Sequence, residues 1–249
     1  MRVARSLNQS EAKHKIQNSG LVTSSQEGVH PSLEKHLRRH LQNTWSQPFH
    51  RPSSDVYLQL KEMDALSGDR PFILDSGCGT GQSTRKLASL FPHHLVIGVD
   101  RSIARLSRSG MGSTIFQAGN CIFLRAELAT FWRLLANDGF TPQRHFLFYP
   151  NPWPKPAHLH RRWHGHPVFP HLLLLGGEIE LRCNWEIYAQ EFALAVNIAT
   201  GASVSPKCFE PERGLSPFEQ KYLERGQPLF SVLVPAQLTA GYTLARLPV

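Results

Sequence analysis

Apolar residues in this chain come in short runs divided by polar, glycine-rich or proline-rich stretches, and from residue 72 onward the runs alternate in kind. Compact runs such as Phe72-Ile-Leu74 and Leu95-Val-Ile-Gly-Val99 read as buried strands, and the stretches after them carry apolar residues at helical spacing. The pattern predicts strands at 72–75, 95–99, 114–117, 145–149 and 178–182, with helices at 83–91, 102–109, 122–136, 168–175 and 185–197. A helix at 218–223 and an edge strand at 228–234 complete the series. Such alternation implies a mostly parallel sheet with helices on both faces, which binds ligands at the carboxyl ends of its strands.

The first 50 residues break this pattern, with mixed charges, few apolar runs and the basic stretch Lys35-His-Leu-Arg-Arg-His40 in a short predicted helix. A second helix at 56–66 is expected to pack beside the first strand. The expected division is therefore a polar, basic extension over residues 1–55, partly disordered or substrate-facing, and one α/β domain over 56–249.

Charge narrows the partners. A net charge of +8, without a low-complexity basic tail, points to a folded surface that attracts polyanions. The chain opens polar, with no apolar span of signal-peptide or membrane length, so a cytoplasmic protein with no membrane partner is expected. Cys78, Cys121, Cys183 and Cys208 are far apart and lack a Cys-x-x-Cys pair; reduced, buried thiols and no structural metal are expected.

Two segments carry the chemistry. In the first, Asp75-Ser-Gly-Cys-Gly-Thr-Gly81, the chain passes from strand to helix through Gly77, Gly79 and Gly81, which let the backbone turn tightly and approach a ligand. About twenty residues on, the second strand ends in Asp100, where a carboxylate can accept from a ribose diol. An acid ahead of the glycines repels a pyrophosphate but suits a ligand with an amino group, which favours S-adenosyl-L-methionine over a dinucleotide. In the second, Tyr149-Pro-Asn-Pro-Trp-Pro-Lys155 followed by Arg161-Arg162, prolines restrict a loop that leaves a strand end. From Thr141 to Pro170 the chain has four Lys or Arg residues, five histidines and no carboxylate, a composition suited to phosphate contact with aromatic stacking.

With Gly98-Val-Asp100, Asn184-Trp-Glu-Ile-Tyr188-Ala and Ser216-Pro-Phe-Glu219 added to these segments, residues 70–235 resemble the TrmB-type tRNA (guanine-N7)-methyltransferase family. The resemblance implies a Rossmann-like class I methyltransferase fold with a mostly parallel seven-stranded sheet, S-adenosyl-L-methionine as cofactor, and methylation of tRNA at guanosine 46. It implies that Asp75, Gly77, Gly79 and Gly81 frame the methionine end of the cofactor, that Asp100 binds ribose, and that Asn120 lies near adenine. Lys155, Arg161, Arg162 and Ser216 fall on substrate-contacting positions, and Asn151, Asn184 and Glu219 on catalytic ones, Asn151 also bordering the cofactor and Asn184 and Glu219 also contacting substrate. Asn151 and Asn184 stand where the family has acids. Family members are monomers or homodimers. Two other readings stay open: a methyltransferase of the same fold acting on a small heteroaromatic substrate, and a non-catalytic protein of that fold binding RNA or another partner.

Overall fold

The computed structural model describes residues 21–66, 70–110, 112–240 and 242; expectations for residues 1–20 lie outside them. In chain order the elements are α1 (Leu33–Gln42), α2 (Arg51–Glu62), β1 (Phe72–Ser76), α3 (Gln82–Leu90), β2 (Leu95–Asp100), α4 (Ile103–Leu106), β3 (Ile115–Ala118), β4 (Cys121–Arg125) and α5 (Leu128–Asn137). They continue with β5 (Arg144–Phe148), α6 (Phe169–Leu174), β6 (Glu178–Cys183), α7 (Glu186–Thr200), β7 (Lys207–Phe209), α8 (Pro217–Glu224), β8 (Leu229–Val234) and α9 (Ala236–Thr239).

The strands form one sheet in the order β3-β4-β2-β1-β5-β6-β8-β7. β4, β2, β1, β5 and β6 run parallel, whereas β3, β8 and β7 each pair antiparallel with a neighbour. The sheet is thus the expected α/β architecture with eight strands instead of seven. Every residue of β1 and β2 is buried, as parallel strands covered by helices on both sides must be. Successive side chains point to opposite faces. Leu74, Ile97 and Leu147 join a large core beneath α1, α2, α5, α6 and α7, whereas Ile73, Val96 and Phe146 join a smaller one under α3 and α4. Chain order reverses between β1 and β5, so the crevice for a ligand lies at the carboxyl ends of those two strands.

The expected helix over 122–136 is a correction: its first part is the strand β4, which makes a hairpin with β3, and the helix begins only at Leu128. Cys121-Ile-Phe-Leu124 is a short apolar run without period, which strand and helix satisfy equally; the turn at Gly119, with φ of +60°, decides it. Cys208 corrects another expectation, because it is exposed on the short β7 while the other three thiols are buried. The described part of the N-terminal extension packs closely: Leu33 and Leu37 are fully buried, and Arg133 of α5 stacks on Trp45 and Phe49. No helix among the described residues is long and apolar enough to cross a membrane.

Candidate active site

The glycine turn sits at the carboxyl end of β1, as its spacing predicts. Gly77, Gly79 and Gly81 have φ of +83°, +58° and +74°, a region that side chains disfavour. Beside Gly77 and Gly79 no atom lies within 4 Å of where a Cβ would stand, so the turn needs glycine for its conformation and leaves open space next to it. Asp75, fully buried below the turn, accepts hydrogen bonds at Oδ2 from the Ser83 hydroxyl (2.6 Å) and the Thr84 hydroxyl (2.7 Å). Its Oδ1 has no hydrogen-bond partner in the protein. Burial pushes the Asp75 carboxyl up to about 6 against the pull of those hydroxyls, and the neighbouring Asp100 adds to the rise. A cationic ligand above the turn offsets that cost, which fits an amino-acid ammonium.

Asp100, at the end of β2, holds the turn in place. Its Oδ2 accepts from Gly79 N–H (3.0 Å), and its Oδ1 accepts from Ser102 N–H (2.8 Å) and pairs with Arg105 Nη2 (3.1 Å). A ribose diol that approaches Asp100 competes with half-exposed Arg105. The close fit of α3 against β2 depends on Gly98, where a Cβ would stand 2.4 Å from the Thr84 hydroxyl.

Asn120 is a correction. It lies in the β3–β4 hairpin turn at the amino edge of the sheet, its carbonyl accepting from Val96 N–H. Its amide donates to the carbonyls of Ala88, Phe91 and His94 at 3.0–3.4 Å. The carboxyl end of β4 instead delivers Arg125, with Ala126 and Glu127 following.

The proline-ruled loop leaves β5 at the same edge. Tyr149 and Trp153 have φ of +51° and +46°, so two bulky residues hold a left-handed backbone on either side of Pro150-Asn151-Pro152. Strain of this kind persists only where neighbours over-determine it. Asn151 is exposed and its Oδ1 accepts from Trp153 N–H (3.3 Å). Lys155 and Arg161 are also exposed, Arg161 lying 4.7 Å over the Trp153 ring. Asn184, just past β6, is nearly buried and donates to Gln227 Oε1 (3.2 Å). Asn151, Asn184, Lys155 and Arg161 thus all come from loops at the carboxyl edge of the sheet.

Three expected contact residues have other employment. Arg162 is fully buried, paired with Glu191 (2.6 Å) and stacked 4.8 Å over Trp185, so it is not presented to a substrate. Glu219 is also fully buried. Its Oε1 accepts from the Tyr149 hydroxyl (3.1 Å) and Arg182 Nη1 (3.0 Å), and its Oε2 from Leu215 N–H. Ser216 caps α8 by accepting from Glu219 N–H (3.1 Å). Glu219 therefore ties Tyr149 to α8 and β6 and acts through the loop. Arg182, wedged between Phe148 and Phe209, completes that tie, and sequence reasoning missed it along with Glu191. The one signal for Glu191 was a charge directly ahead of the apolar run Phe192-Ala-Leu-Ala-Val196 and at helical spacing from Tyr188.

A mostly parallel sheet closed by the antiparallel β8, with its ligand turn after β1 and an acid ending β2, is that of a Rossmann-like methyltransferase of class I. The sequence profile of the family described as "putative methyltransferase" matches residues 69–232, and the chain belongs to that family. It is of the TrmB type, and its cofactor is S-adenosyl-L-methionine. Among similar proteins, a tRNA (guanine-N(7)-)-methyltransferase of Psychromonas ingrahamii is 29% identical over 193 residues, covering 72% of this chain and 76% of the relative. One of the same description from Alkalilimnicola ehrlichii is 28% identical over 185 residues, covering 69% and 75%. A crystal structure of a point mutant of the 16S rRNA (adenine(1408)-N(1))-methyltransferase from Catenulisporales acidiphilia shares the fold, with a TM-score of 0.50 at 14% identity over 71% of this chain and 92% of that one.

Proposed function

We propose that the protein methylates guanine N7 in tRNA, at guanosine 46, and works in the cytoplasm. The observation that carries this reading is the meeting, at one edge of the sheet, of an open glycine turn over a buried acid with a rigid loop bearing exposed Lys155 and Arg161. The activity of the relatives from Psychromonas ingrahamii and Alkalilimnicola ehrlichii supports the same choice of base and RNA.

The chemistry asks little acid–base work of the protein. Guanine N7 carries a lone pair and no proton, so nothing has to be removed before attack. Bound S-adenosyl-L-methionine would supply an electrophilic methyl group, which N7 would take with its lone pair while the sulfur keeps the bonding pair and the positive charge passes to the base. Alignment and a complementary field are what remain for the chain to provide. The Gly77–Gly81 turn and Asp75 would hold the methionine end and Asp100 the ribose, in competition with its ion pair to Arg105. Asn151 and Asn184 each offer an amide, which donates to guanine O6 or accepts from N1–H and the exocyclic amine. Lys155 and Arg161 neutralise phosphates, and Trp153, with Arg161 stacked on its ring, forms an aromatic and cationic wall beside them.

The test is transfer of labelled methyl from S-adenosyl-L-methionine to total tRNA by the purified protein, followed by nucleoside mass analysis and position mapping. The expected product is 7-methylguanosine at position 46. Transfer to another base or position, or none despite cofactor binding, contradicts the proposal.

A further inference from the structure

A carboxylate on the apolar face of a helix is costly unless every lone pair finds a donor. Glu191, fully buried in α7, meets this condition by dividing its two oxygens between two distant segments. Oε1 accepts from Gln26 Nε2 (2.6 Å) and His30 N–H (2.9 Å), both on the segment ahead of α1. Oε2 accepts from Arg162 Nη1 (2.6 Å) and His164 Nε2 (2.8 Å), both at the far end of the proline-ruled loop. Gln26 Oε1 in turn accepts from Arg162 Nη2 (3.0 Å), closing a ring of three side chains.

The same groups grip the middle of the loop. Alternating prolines leave residues 152–156 with amide hydrogens only at Trp153 and Lys155, so the segment is held mainly by its carbonyls. Arg162 donates to the Trp153 carbonyl from Nε (3.2 Å) and Nη2 (3.1 Å), and to the Lys155 carbonyl from Nη2 (3.5 Å). The Ser24 hydroxyl donates to the Pro154 carbonyl between them (2.5 Å). Three successive carbonyls are thus fixed by one buried arginine and by the N-terminal segment.

We propose that Glu191 is a positioning residue which, through Arg162, couples the N-terminal strap of residues 24–30 to the loop that presents Lys155 and Arg161. The strap is then a working part of the substrate site: loosening it disorders the loop although no strap residue has to touch the reacting base. The inference rests on the loop being the RNA-contacting element proposed above, and it deepens that reading by assigning what sets the loop's shape.

The test compares full-length wild type with Gln26→Ala, which lies on the strap side, and with Glu191→Gln. Amide hydrogen exchange over residues 153–165 reads the coupling without any substrate, and the KM for tRNA, kcat and cofactor affinity read its consequence. Gln26→Ala removes hydrogen bonds to charged groups and is expected to speed exchange in the loop, and to raise the KM for tRNA, by about tenfold, with cofactor affinity unchanged. Glu191→Gln is expected to do the same more strongly; should it fail to fold, Gln26→Ala still decides. Wild-type exchange in the loop of folded Gln26→Ala overturns the coupling. So does a parallel loss of cofactor affinity and tRNA affinity, which marks a general structural role. If wild-type protein transfers no methyl to tRNA, the functional reading fails on its own, and the exchange rates still test the coupling.

Discussion

The two loops that meet at the carboxyl edge of the sheet are built by opposite means. The turn after β1 uses backbone freedom: three glycines with positive φ, open space beside them, and a helix that starts at once. The loop after β5 uses restriction: alternating prolines, left-handed Tyr149 and Trp153, and a buried carboxylate at each end, Glu219 near its start and Glu191 near its close. The first arrangement brings main chain close to a small, fixed ligand. The second holds large cationic and aromatic side chains on a stiff platform, so that ordering a polymer costs little of the protein's own entropy. On the proposed function, a cofactor that is always the same molecule and a substrate that is a large polyanion call for this division.

Neighbouring arginines give the strongest way to break the comparison. Arg162→Ala strips a fully buried carboxylate of its counter-charge and is expected to cost about 3–5 kcal/mol in chemical denaturation. Arg161→Ala is expected to leave stability within about 0.5 kcal/mol and to lower the salt slope of tRNA binding by about one. Equal effects in the two variants mean that the loop is not pinned from within.

Next in size is Gly79→Val in the turn. A β-branched residue at φ of +58° is expected to cost more than about 1–2 kcal/mol locally and to weaken cofactor binding by about tenfold or more, read by calorimetry. Its affinity for tRNA is expected to stay near that of wild type.

Arg105→Ala sharpens the account of the turn. Freed of its ion pair, Asp100 is expected to bind the ribose without first giving up a partner, so cofactor affinity rises by a factor of about two to five, in keeping with a partly exposed ion pair. Weaker cofactor binding in this variant would show that Arg105 helps to hold the ligand.

Acid acts on the buried titratable groups with opposite signs. Burial lowers His145 to about 3 and His166 and His171 to about 4, so all three are neutral in the folded protein near neutral pH. The unfolded chain takes up those protons as pH falls through about 6.5, so stability from these groups is lost on acidification. Asp75, raised to about 6, works the other way: it is protonated more readily folded than unfolded, and its cost is relieved below that value. Three histidines against one acid predict a melting temperature that falls between about pH 7.5 and about pH 5; a flat profile contradicts neutral buried histidines.

Legibility in the sequence followed the same divide. The glycine turn was readable because its requirement is local: positive φ, contiguous residues, a strand before and a helix after. Exposed Lys155 and Arg161 were readable as a cationic surface for the same reason. The buried settings of Arg162 and Glu219 were not legible, because they depend on Glu191, twenty-nine residues from Arg162, and on Tyr149, seventy from Glu219. Charge pattern gives no sign of which of two adjacent arginines turns inward. Asn120 was misplaced because a four-residue apolar run does not announce whether it is strand or helix, and one missed hairpin moved it from one edge of the sheet to the other.

The most direct test of the divided site is a pair of affinities, cofactor and tRNA, measured on Gly79→Val and Arg161→Ala at matched salt. The account predicts a double dissociation: Gly79→Val loses cofactor and keeps tRNA, while Arg161→Ala loses tRNA and keeps cofactor. A variant that loses both, or Arg161→Ala with wild-type affinity for tRNA, would contradict it.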